Sequence, residues 1–128
     1  MVSQKMREAG KIAWKKKITP SEACWRRKLA KVYGKRLSQI IRHPSLLDMM
    51  LENKGKILFF EVKPLKGSER QTKLNRKQSE TIRMMLQSKV GNSAQFYLAP
   101  YSGEKRIRTK KPIRITLWNI DKYSYKKG

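Results

Sequence analysis

Residues 48–64 read "DMMLENKGKILFFEVKP", and the fold turns on whether they form a hairpin. Leu46–Leu51 and Ile57–Lys63 are apolar enough to be strands. The residues between them, Glu52-Asn53-Lys54-Gly55-Lys56, have the polar, glycine-containing make-up of a tight turn. If that turn centres between Lys54 and Gly55, Asp48 stands directly opposite Glu61 and both project from one side of the sheet. Lys63, two residues further on, shares that side. A turn displaced by one residue leaves the acids as diagonal neighbours, and a three-residue turn breaks the alignment. Two carboxylates directly opposite repel each other, so a sheet that keeps them needs compensation. A hard divalent cation such as Mg²⁺ supplies it; so, in part, does an ordinary ion pair with Lys63.

The acids are few. The 128-residue chain has 32 Lys and Arg against 9 Asp and Glu, a net charge of +23. Charge of this size favours polyanionic partners, nucleic acid first among them. An anionic membrane surface would instead call for a basic amphipathic helix or a lipidation motif, and neither stands out. No apolar run approaches the length of a membrane span, and no secretory signal follows the basic N-terminus; a cytoplasmic, nucleoid-associated protein is expected. Cys24 and His43 are the single cysteine and histidine, which excludes a disulfide framework and a Cys/His zinc site. Cys24 reads as core, and His43, next to Pro44, as a turn or DNA-contact residue.

Along the chain, residues 1–18 read as a basic arm. Thr19-Pro20-Ser21-Glu22 has the form of a helix start, with Thr19 as cap and Glu22 three residues later. Cys24, Trp25, Leu29 and Val32 follow at core spacing, and Gly34 ends the helix. Leu37–Arg42 is a short strand candidate before the hairpin, and residues 64–74 a basic loop. Asn75 and Gln78 open a second helix whose buried stripe is Ile82, Met85 and Leu86, with Met84 also packing. Ala94–Ala99 is a strand ended by Pro100, residues 102–112 a charged loop or hairpin end, and Ile113–Trp118 an alternating strand. The order α-β-β-β-α-β-β predicts a single α/β domain over 19–120, a mixed sheet flanked by helices, with a basic tail at 121–128.

Asp48 followed thirteen residues later by Glu61-Val62-Lys63 is similar to the motif of the PD-(D/E)XK nuclease superfamily. With the basic loop and "LNRKQSETIRMMLQSKVGNSAQFYLA" (residues 74–99), residues 19–100 most resemble the archaeal-type Holliday junction resolvases. Leu47 stands where the pattern usually has proline. The resemblance implies a restriction-endonuclease-like core and Mg²⁺-dependent phosphodiester hydrolysis, with Mn²⁺ as a substitute. It implies Asp48, Glu61, the Val62 carbonyl and an acid on the first helix, matched by Glu22, as metal ligands, and Lys63 as the residue that orients water or supports the phosphate. A homodimer follows for a resolvase, since two symmetric cuts in a four-way junction need two sites; the surroundings of Trp118 or Phe96 are candidate dimer surfaces.

Other residues carry two readings each. Glu22 is a helix cap or a metal ligand, or both. Gln78 is the partner of Asn75 or a polar contact near the acids. Ser45 is a turn serine or a phosphate contact. Arg42, Lys66, Arg70, Lys73, Arg76 and Lys77 cluster around the motif and are expected to track DNA phosphates, which positions a substrate without reading its bases. Two alternatives stand beside a junction resolvase. One is a nuclease of the same fold acting on duplex, flap or single-stranded DNA; the other is a non-catalytic nucleic-acid-binding protein whose acids are structural.

Overall fold

The structure, a computed structural model, describes residues 18–42, 47–65 and 73–124. These form one small α/β domain. Helix α1 (Pro20–Tyr33) precedes strands β1 (Met49–Asn53) and β2 (Lys56–Pro64). Helix α2 (Arg76–Gln87) follows, then β3 (Ala94–Ser102), β4 (Arg108–Thr109) and β5 (Ile113–Ile115). The five-stranded sheet runs β1-β2-β3-β4, with β5 also paired to β3. It is mixed: β2 and β3 are parallel, and the other pairs antiparallel.

The hairpin closes at Lys54 and Gly55, which have φ of 52° and 81°. Two successive left-handed residues make the two-residue turn whose twist matches the flanking strands, and the Glu52 carboxylate accepts the Gly55 N–H at 2.8 Å. Met49 therefore faces Phe60, and Leu51 faces Leu58. A Cβ at Gly55 would meet nothing within 4 Å, so its role is conformational alone. Gly55→Ala is expected to cost about 1–2 kcal/mol of unfolding free energy, read by chemical denaturation; an unchanged midpoint would argue against this turn.

Because β2 is covered on both faces, its apolar run is continuous. Leu58, Phe60 and Val62 pack with Trp25 and Leu29 of α1, and with Met49, Leu51 and Ala99. Phe59 turns the other way, toward Phe96, Leu98, Ile115 and Ile82 of α2. The Trp25 indole N–H donates to the Pro100 carbonyl at 3.1 Å, fixing α1 across the sheet.

Several expectations need correction. Leu37–Arg42 is not a strand: Leu37–Gln39 is a 3₁₀ turn, followed by an isolated bridge between Ile41 and Met50. Arg26 of α1 holds this segment through the Leu37 and Ile40 carbonyls, so two full strands, not three, precede α2. The first hairpin strand begins at Met49 rather than Leu46. Pro100 does not end β3. Its carbonyl accepts from Lys110, so its N-substituted side faces that same edge, where β5 gives way to β4, and the β2–β3 ladder loses nothing. The last strand stops at Ile115 rather than Trp118, because the Asn119 side chain accepts the Thr116 N–H and folds the chain into a turn. Val32 and Met84 lie outside the buried stripes, at 63% and 64% exposure, whereas Phe96 is wholly buried. Residues 121–124 are not a free tail: Tyr123 and Ser124 are buried, Ser124 bridges Leu74, and Asp121 pairs with Arg83. Among the described residues no helix is long and apolar enough to cross a membrane.

Candidate active site

Asp48 immediately precedes β1, and the register carries it to Glu61. Both acids lie where the β1–β2 ladder ends. Even-numbered residues of β2 direct their backbone groups toward β1, since Met50 directs its own away, to Ile41. Beyond Met49 no strand residue meets the Val62 N–H, and the Asp48 carboxylate takes its place, accepting through Oδ2 at 2.8 Å. The Val62 carbonyl shares that edge. Its side chain is committed to the opposite, apolar face.

Glu61 is held from the α2 side. Asn75 caps α2, and its side chain accepts the Gln78 N–H at 2.8 Å. The Gln78 side chain returns the bond through Oε1 to the Asn75 N–H (3.1 Å) and donates through Nε2 to Glu61 Oε2 (2.8 Å). The two readings of Gln78 are thus compatible: one amide closes the capping box and anchors the acid.

Glu61 is 7% exposed. Burial foremost, then the Asp48 carboxylate and a hydrogen bond shared with it, push the Glu61 carboxyl up to about 9; Lys63 opposes the shift and Glu22 adds to it. Without a cation Glu61 therefore keeps its proton near neutral pH.

Glu22 begins as a cap residue. Its N–H donates to the Thr19 hydroxyl oxygen (3.2 Å), and its Oε1 accepts from that hydroxyl (3.0 Å). The second oxygen, Oε2, is buried without a hydrogen-bond partner; Arg42 Nη2 lies 3.9 Å away. The Arg42 guanidinium, as ion-pair partner rather than hydrogen-bond donor, offsets part of the cost of burying this oxygen. Nothing in the sequence signals the Glu22–Arg42 proximity, because it depends on the path of the 3₁₀ segment. Arg42, expected among the DNA contacts, lies beside this acid.

Among the described residues no three His, Cys, Asp or Glu side chains converge into a closed metal cage. Mg²⁺ does not require one: it is commonly held by one or two carboxylates, with water and substrate phosphate completing its shell. Asp48, Glu61 and the Val62 carbonyl suit that hard-oxygen chemistry.

The expected phosphate track divides. Arg76 and Lys77 are exposed on the first turn of α2, beside Gln78, although Arg76 also pairs with Glu80 at 2.9 Å. Lys73 is half-buried just before α2. Ser45, Lys66 and Arg70 lie outside the described residues. No protein-family model matches the chain, and no curated protein or solved structure matches it either.

Proposed function

We propose that the chain is a Mg²⁺-dependent DNA endonuclease with a restriction-endonuclease-like core, acting on branched DNA as a homodimer in the manner of a Holliday junction resolvase. The observation that carries this reading is the Asp48–Glu61 pair, Glu61 buried and Asp48 half-buried, each acid held by a separate element, at the open end of a strand in a strongly basic chain. A fold gains no stability from opposing a buried acid to another unless something positive is to be bound there.

Bound Mg²⁺ would supply Lewis-acid polarisation of the scissile phosphate and a more acidic water. The Val62 N–H fixes the Asp48 carboxylate, and Gln78 fixes Glu61, so neither acid must be ordered when substrate arrives. Asp48, Glu61 in its ionised form and the Val62 carbonyl would hold the ion. Lys63, two residues along the same face, brings a positive charge to the phosphate or orients the attacking water. Arg76 and Lys77 lie beside this end of α2 and take flanking phosphates, contacts that position DNA independently of sequence.

The test is cleavage of a labelled four-way junction, its matching duplex and a single strand, with Mg²⁺ and with chelator. Metal-dependent cutting that favours the junction is expected. Equal cutting of all three removes the resolvase assignment; no cutting of any removes the enzyme.

A further inference from the structure

We propose that Trp118 and the groove beside it capture an unpaired nucleobase of single-stranded or branched nucleic acid. This rests on the DNA-directed reading for its class of ligand, and its test requires nothing of the acid site.

Trp118 is 96% exposed, yet it does not sit on a loose loop. Ile115 and Ile120 on either side of its turn are buried. Between them the Asn119 side chain accepts the Thr116 N–H and donates to the Arg114 carbonyl, both at 2.8 Å, and the Ile120 N–H donates to the Thr116 carbonyl at 3.0 Å. The indole is thus presented outward from a pinned turn, at little ordering cost to whatever stacks on it.

The adjoining groove, of about 230 Å³, is lined by Leu86, Gln95, Arg114, Thr116, Leu117 and Trp118 among others. Apolar walls suit the face of a ring, and Thr116 offers a polar contact to its edge; the Gln95 side-chain oxygen accepts from the Tyr97 hydroxyl at 2.6 Å. Arg114 is exposed and makes no ion pair among the described residues, leaving its guanidinium for a phosphate. A net charge of +23 draws a polyanion to the protein. An exposed aromatic beside cationic groups is how proteins stack unpaired bases without reading sequence.

Placement relative to the acids is also suitable. Gln78, in the first turn of α2, contacts Glu61, and Leu86, in its last turn, lines the groove. Eight helical residues separate them, about 12 Å, or roughly three to four stacked nucleotides. One strand spans both.

The test is fluorescence anisotropy in chelator, with labelled oligothymidine, a blunt duplex and a four-way junction, for wild type, Trp118→Phe and Trp118→Ala. Trp118→Ala should weaken oligothymidine binding roughly five- to hundred-fold, Trp118→Phe should retain most of it, and all three should bind the duplex alike. The salt slope should not change, because stacking releases no phosphate counterions. Abasic substitution in the oligonucleotide should weaken wild type and leave Trp118→Ala indifferent. Unchanged oligothymidine binding, an equal loss on duplex, or a dimer turned monomer by Trp118→Ala overturns the proposal; the last assigns Trp118 to a contact between copies. Since no arm requires metal, absence of cleavage leaves these results standing, whereas wild type that binds none of the probes overturns both readings.

Discussion

Asp48→Asn is expected to lower Mg²⁺-dependent cleavage by at least about 10³-fold while junction binding in chelator stays equal or tightens. The size follows from the role: losing several kcal/mol of metal-borne transition-state stabilisation slows the chemical step by this order. Retained binding follows from charge, since removing one acid from a site that faces phosphate lowers repulsion. Asparagine is the informative substitution because its Oδ1 still accepts the Val62 N–H, the bond that Asp48 Oδ2 makes at 2.8 Å; alanine would strand that donor and confuse folding with chemistry. Cleavage within ten-fold of wild type would remove Asp48 from the reaction. A joint loss of cleavage, binding and thermal transition would mean that the acid is structural.

That Asp48 is the residue to change was legible from the sequence, because hairpin register depends on short-range chemistry. Asn53-Lys54-Gly55 specifies its own turn, and period-two alternation carries the register back to Asp48 and Glu61. Gln78 was legible as a cap for the same local reason. Its bond to Glu61 was not, because that depends on where α2 docks. Longer-range decisions overrode local pattern elsewhere. Ile40 and Ile41 favour a strand, but α1 claims the Leu37 and Ile40 carbonyls through Arg26. Pro100 reads as a terminator, yet only the edge to which it turns its missing N–H matters, and that edge is set by where β4 and β5 meet. "IRITLW" (residues 113–118) alternates throughout, but Asn119 cuts it short and leaves Trp118 outside the sheet. The ion pair between Glu22 and Arg42 had no sequence signature at all.

The same acid pair predicts an unusual dependence of stability on pH in the absence of metal. The groups facing Glu61 are Asp48 across the hairpin, Gln78 from α2, Lys63 on its own strand and, through its field, Glu22 from α1. Burial foremost, then Asp48 and Glu22, raise its carboxyl from 4.5 to about 9 against the opposing charge of Lys63, so the folded state holds the proton more tightly than the unfolded chain. The associated stabilisation is full below about pH 4.5 and is lost as pH rises toward 9, with a limiting slope of about 1.4 kcal/mol per pH unit. Metal-free wild type should therefore melt at a falling temperature between pH 6 and 8.5, where ordinary salt-bridged carboxylates are already ionised and contribute no slope. Glu61→Gln carries a permanently neutral group of the same shape, and it should lose this slope and exceed wild type in stability at pH 8. Taking the difference between the two proteins cancels the contributions of groups common to both. Mg²⁺ added at pH 8 should raise the melting temperature of wild type and not that of Glu61→Gln, because a ligand that binds only the folded state stabilises it by mass action. A flat wild-type profile, or Glu61→Gln less stable than wild type at pH 8, would mean that Glu61 does not hold a buried proton. A wild-type slope without any response to Mg²⁺ would keep the acid pair and remove the metal.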